Sequence, residues 1–175
     1  SEELMKKVLN LNSTYIKKAE ETEEVSRNIK WRLDELRWDN LFNYGDDNRI
    51  DFNRLAGTVG IFGKNYSGKS SVIDSLLYTL FNTTSKNERK NVNVINHDKD
   101  YACGELELMT EDGTLWNIHR KSEKYNKNSK GKETVEAKTD VIFSSKALDG
   151  TKTILNDTTR NETDKEIRKT FGTID

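Results

Sequence analysis

Eight consecutive residues constrain this chain more than anything else in it: Gly63-Lys64-Asn65-Tyr66-Ser67-Gly68-Lys69-Ser70. They match G-x-x-x-x-G-K-[ST] in full, the pattern of a loop that wraps phosphate groups. At ordinary residue frequencies, a chance match in a chain of this length is on the order of 1%. The flanks fit the same reading. The apolar run Gly57-Thr58-Val59-Gly60-Ile61-Phe62 precedes the loop and predicts a buried strand. Lys69 to Phe81 follows it and predicts a helix, with Val72, Leu76 and Leu80 on one face and Ile73 and Leu77 beside them. That stripe is wide enough for the helix to be largely buried. Strand, loop and helix in this order form a phosphate cradle. Glycines let the backbone turn with positive φ and approach an anion without a Cβ in the way. The loop N–H groups make a concave nest, and the helix start adds unpaired N–H groups and its positive dipole end. In such a cradle Lys69 reaches the β- and γ-phosphates of a nucleoside triphosphate. The Ser70 hydroxyl serves as a Mg²⁺ ligand, and Ser71 is a further donor.

The rest of the chain reads as mixed α and β structure. Residues 1–30 carry an apolar stripe, Leu4, Val8, Leu11 and Tyr15, widened by Met5, Leu9, Ile16 and Ala19. It predicts an amphipathic helical extension docking on a neighbour; a coiled-coil end is the sharper alternative. Leu36 and Trp38 alternate with charged residues, and a turn cluster at 44–48 leads to Ile50-Asp51-Phe52, which predicts two short strands. Residues 82–100 read as a polar loop from which Val92, Val94 and Ile95 dip into the core. Strict alternation at 104–108, the turn Glu111-Asp112-Gly113 and the looser alternation at 115–118 predict a hairpin. Residues 121–138 hold many lysines and almost no apolar side chains, which predicts a mobile loop. Lysines there could touch a nucleic-acid backbone, although a solvated loop accounts for them as well. Val141-Ile142-Phe143 predicts another strand, Asp149-Gly150 another turn, and 161–171 a helix ended by Gly172.

Composition narrows the class. Of the 175 residues, 33% are hydrophobic and 34% charged, against a usual charged share of about 25%. Part of the chain is therefore expected to lie outside a compact core. No apolar run is long enough to span a bilayer, and no apolar segment opens the chain as a secretory signal would. The single cysteine, Cys103, cannot form an internal disulfide and fits a reducing compartment. The net charge of -1 argues neither for nor against nucleic acid. The absence of proline, with abundant Asn, Lys and Thr, is read as the coding bias of an AT-rich genome. The start at Ser1, without methionine, and the stop at Asp175 suggest a fragment of a longer protein.

The stretch Gly63-x-Asn65-x-Ser67-Gly68-Lys69-Ser70-Ser71-Val72-Ile73-Asp74 resembles the ABC-type head domains of the SbcC/SMC family of DNA repair ATPases. That family reads G-x-N-G-x-G-K-S-S, then two aliphatics and an acid. Upstream, 36–44 resembles the family's first strand and its Asn-Phe turn, and Ile50-Asp51-Phe52 its second strand. Downstream, 94–96, 102–108 and Ile118-His119-Arg120 resemble the strands after the P-loop helix. The resemblance spans about residues 31–175. It implies an α/β fold: the N-terminal lobe of an ABC-type P-loop NTPase, a mixed sheet around the P-loop helix, with an antiparallel part from 102–121 and 139–155. It implies ATP with Mg²⁺ as the ligand, held by Gly63, Lys64, Asn65, Tyr66, Ser67, Gly68, Lys69, Ser70 and Ser71, with Phe42 and Asn43 at the base. It also implies a homodimer of ATPase heads, DNA as substrate, an SbcD-like nuclease partner, and a cytoplasmic, nucleoid-associated setting, with viral coding as an alternative source. Two departures stand out. Tyr66 occupies a position where the family has glycine, so the loop is expected to be stiffer or partly covered by the ring. The glutamine loop, coiled coil, signature motif and Walker B carboxylates of the family are not in this sequence. The chain alone is therefore expected to bind ATP without hydrolysing it, and no catalytic residue is assigned.

Rival readings are a different P-loop enzyme, such as a small kinase or GTPase, and a non-catalytic DNA-organising module. The sequence lacks an Asn-Lys-x-Asp base-reading motif and an arginine-rich lid. His97 and His119, with Cys103 and Asp98, lack metal-ligand spacing.

Overall fold

The computed structural model describes residue 5 and residues 30–65, 67–85, 91–129 and 132–172. The helix expected over 1–30 lies outside them, apart from Met5 and Lys30. Among the described residues, six strands form one sheet in the order β2-β1-β3-β4-β5-β6. They are β1 (Trp31–Asp39), β2 (Asn48–Asp51), β3 (Tyr101–Thr110), β4 (Leu115–Ser129), β5 (Lys132–Lys146) and β6 (Lys152–Ile154). Two helices, α1 (Lys69–Phe81) and α2 (Arg160–Phe171), pack on it, α1 against β3 and β4, α2 against β5. The α/β class holds.

Alternation makes the sheet. In β3 every second residue, Ala102 to Thr110, is buried beneath the helices. Leu106, Leu108, Ile118, Val141 and Phe143 from the strands meet Tyr78, Leu80, Phe81, Ile167 and Phe171 from the helices in one core. The turn after β3 forms where expected, with Gly113 at φ 82°, a conformation that favours glycine. Val94 and Ile95 are buried as predicted; Ile95 bridges to Leu41. Helix α2 starts with a capping box between Thr159 and Glu162 and ends at Gly172.

Three expectations need correction. First, the sheet is antiparallel throughout among the described residues, not mixed, because 57–62 does not join it. Those residues run in irregular structure, with Val59 and Ile61 half exposed and Phe62 94% exposed. A strand buried on both faces needs hydrogen-bonded neighbours, and none of the described strands lies beside it. Second, 121–129 and 132–138 are no loop. They belong to the β4–β5 hairpin, whose pairing continues past Glu123, the last β4 residue paired with β3, to Ser129 opposite Lys132. Cross-strand polar pairs hold it: Glu136 accepts from the Tyr125 hydroxyl at 2.8 Å and from Lys127 at 2.9 Å. Third, α1 buries its apolar stripe only at Leu80. Ser75, Tyr78 and Thr79 are buried, while Val72, Leu76 and Leu77 are only partly covered and Ile73 is exposed.

The facing of α1 has a steric cause at Gly104. A Cβ built there would lie 1.9 Å from Thr79 Oγ1, so only glycine lets α1 come this close to β3. Thr79 cannot swing away freely; it is fully buried and its hydroxyl donates to Ser75 O at 2.7 Å. Gly104→Ala is therefore expected to cost about 1–3 kcal/mol by overpacking. Urea unfolding measures it; an unchanged midpoint would contradict the close contact.

Candidate functional site: a glycine loop at the mouth of a cleft

Gly68 sits at φ 85° and ψ 15° as the N-cap of α1, so the loop ends in a left-handed turn and the helix begins at Lys69. No side chain caps this helix start, and its first turn carries no acid. Its free N–H groups and dipole end are thus available to an anion. The Lys69 ammonium folds back over the loop, donating to Gly63 O at 2.9 Å and Lys64 O at 2.6 Å. Ser67 N–H donates to Lys64 O at 3.3 Å. The first and last parts of the loop are thereby held together around the lysine.

The loop opens onto a cleft of about 960 Å³. Of the residues expected at the site, Phe42, Asn43, Gly68, Lys69, Ser70 and Ser71 line this one cleft. Gly63 and Lys64 join it through Lys69. Asn65 is exposed in a turn, and Tyr66 lies outside the described residues. Phe42 is held at φ 55°, unusual for a bulky residue, by its N–H to Val94 O at 2.8 Å. The donor set fits a phosphorylated ligand: exposed backbone and the Lys69 ammonium share one cleft with an aromatic ring, Phe42, and an amide, Asn43.

Sequence reasoning missed part of the wall. Val92, Ile95 and His97 line the cleft from the segment after α1, and Lys124 and Val135 from the long hairpin. Lys124 Nζ donates to Asn96 O at 3.3 Å and His97 O at 3.2 Å, joining the two. No local pattern marks Lys124 and Val135; the β4–β5 pairing brings them here. The acid of the resemblance, Asp74, is also in the cleft, where it accepts from Ser85 N–H at 2.7 Å and so holds the chain leaving α1.

The remaining polar residues are dispersed. His97 is exposed beside Asp98, whereas His119 and Cys103 line a separate groove with Asp39. Burial and the nearby Asp39 carboxylate push the Cys103 thiol up to about 11, so it stays protonated at neutral pH. No helix among the described residues is long and apolar enough to cross a membrane.

A glycine loop capping a helix, under an antiparallel sheet, defines the class as a P-loop α/β domain. A family model described as an AAA domain matches residues 35–174, and the chain belongs to that family. It is 32% identical over 158 residues to an uncharacterised protein of Acanthamoeba polyphaga mimivirus, covering 82% of this chain and 10% of that protein. It is 34% identical over 62 residues to the SbcC component of the nuclease SbcCD of Bacillus subtilis (strain 168), covering 34% of this chain and 6% of that protein. The latter match bears out the SbcC/SMC-like resemblance drawn from the loop. The chain spans a tenth or less of these curated relatives. Among solved structures it is similar to the recombination mediator RecF with ATP, at a TM-score of 0.46 and 18% identity, over 61% of this chain and 27% of that one. It is also similar to a structure from work on ATP-driven dimerization of SMC ATPases, at a TM-score of 0.42 and 20% identity, over 79% of this chain and 78% of that one.

Proposed function

We propose that this chain is the ATP-binding N-terminal lobe of an SbcC-like ATPase that acts on DNA ends with a nuclease. The observation that carries the reading is the uncapped start of α1 beneath Lys69, at the mouth of a cleft that also holds Phe42 and Asn43. On binding, Lys69 Nζ exchanges the carbonyls of Gly63 and Lys64 for oxygens of the β- and γ-phosphates. Backbone N–H groups of Gly68, Lys69 and Ser70 would hold the same oxygens, and Ser70 would supply a hydroxyl to Mg²⁺. The base lies toward Phe42 and Asn43. Mg²⁺ held there would supply charge to neutralise what develops on the transferred phosphoryl group.

Two exposed apolar features support a missing half. Phe62 lies uncovered, and Val59, Ile61 and, on α1, Ile73 are half exposed. A second lobe that adds strands beside 57–62 would cover them and bring the acid that positions the attacking water. The boundary between the helical extension at 1–30 and the lobe at 31–175 belongs to the same proposal, as do DNA, the nuclease and a second head as partners. Turnover tests it. The chain alone is expected to release no phosphate from ATP above background, because among the described residues Asp74 is the one acid lining the cleft and it is held by Ser85 N–H. Mixing it with the parent's C-terminal lobe should restore release. Robust release by the chain alone, lost in Lys69→Ala, would show that the catalytic acid lies within these residues and that the reading is wrong.

A further inference from the structure

Tyr44 lies outside the cleft lining, yet it touches the loop at its most constrained residue. Its hydroxyl donates to Gly68 O at 3.0 Å, the same carbonyl that accepts the Ser71 N–H at 3.0 Å. Its ring fills the space on the open side of Gly68, with Cε2 3.5 Å from where a Cβ would be. The ring is itself fixed. It packs edge-on to Trp38 at 5.2 Å, and Tyr44 N–H donates to Leu41 O at 3.0 Å. On the far side, Tyr44 O accepts from Asn96 Nδ2 at 2.8 Å, and Asn96 O accepts from Lys124 Nζ. Partial burial pushes the phenol's pKa up, which keeps the hydroxyl a donor.

We infer that Tyr44 is a positioning residue that holds Gly68 in its left-handed conformation, and that the series Gly68–Tyr44–Asn96–Lys124 ties the phosphate loop to the β4–β5 hairpin. The carbonyl of Gly68 must point away from a bound anion for the N–H groups of Lys69 and Ser70 to point toward it. Two donors on that carbonyl, one of them from outside the helix, lock the peptide in this orientation. The hairpin wall of the cleft and the loop then move as one unit. This inference rests on the nucleotide reading for its ligand, but the tie itself is present in the ligand-free chain.

Tyr44→Phe is the test, since it keeps the ring and removes only the donor. In the 175-residue chain it is expected to weaken Mg·ATP about threefold to tenfold, as the loss of one hydrogen bond would. Inorganic tripolyphosphate, competing for the site, should be weakened by the same factor, because the effect acts on the loop and not on the base. In the ligand-free protein, the amides of Ser70 and Ser71 should exchange faster while those of β3 stay as in the wild type. Asn96→Ala should act in the same direction, and the double variant should be weaker by less than the product of the single effects. Wild-type affinity in Tyr44→Phe, weakening of ATP without tripolyphosphate, or fully multiplicative single effects would each overturn the inference. If the wild type binds neither ligand, the proposed function falls. The exchange rates of Ser70 and Ser71 then decide the role of Tyr44 alone.

Discussion

Asp164→Ala is expected to lower the unfolding free energy by about 3–5 kcal/mol, the range found when one partner of a buried ion pair is removed. Asp164 Oδ1 accepts from Arg120 Nη2 at 2.7 Å, with the arginine side chain fully buried and the aspartate 9% exposed. Arg120 Nε also donates to Thr79 O at 3.1 Å, so one guanidinium joins β4 to α1 and to α2. Its Nη1 already finds no acceptor among the described residues. Without Asp164 the cation would be left in the core with only a peptide carbonyl as partner. Arg160, 3.8 Å from the other Asp164 oxygen and partly exposed, can turn to water and does not change the balance. A loss of this size is a large part of the roughly 5–15 kcal/mol that holds a domain together. Urea unfolding should show a markedly lower midpoint with a similar slope. Replacing both residues, Arg120→Met with Asp164→Leu, should recover most of the loss, because the desolvation cost of the charge disappears with the charge. A change below about 1 kcal/mol in Asp164→Ala would mean that the pair is hydrated and not buried.

Lys69→Ala is expected to have the largest effect on ligand binding, about 2–4 kcal/mol of lost affinity for Mg·ATP. Lys69 is the cation that the fold directs over the loop, and its present partners are the neutral carbonyls of Gly63 and Lys64. Phosphate oxygens are far stronger acceptors for an ammonium than peptide carbonyls, so the exchange favours the ligand. The variant should fold normally, since Lys69 lies at the exposed rim of the domain and contributes nothing to the core. Its effect therefore separates from that of Asp164→Ala, which acts on stability and leaves the loop residues in place.

Where the chain carries its instructions locally, they are legible. The glycines and lysine of 63–70, the alternation of 104–108 and the Asp112-Gly113 turn each specify their own backbone, and the structure has the α1 start and the β3–β4 turn at those residues. The failures come from interactions between distant residues. Residues 121–138 read as unstructured because their apolar content is low. Yet Lys127 and Tyr125 meet Glu136 across the strands, and Ser122 meets Thr139 at 2.6 Å beneath them. The stripe on α1 reads as a buried face, but the contact is decided by Gly104, which admits Thr79 and so turns Ser75 and Thr79 to the sheet. The apolar run at 57–62 has strand composition without a neighbouring strand among the described residues. Two residues of the cleft wall, Lys124 and Val135, are placed by strand register, which no single segment encodes.

Isothermal titration of Mg·ATP into the 175-residue chain and its Lys69→Ala variant tests the central claim, that residues 63–71 form the nucleotide site. Saturable one-to-one binding by the wild type, weakened about 30-fold or more in the variant, is the result expected from the lost charge-assisted contacts. Equal affinity in the two proteins, or no binding by a wild type whose unfolding transition is intact, would contradict it.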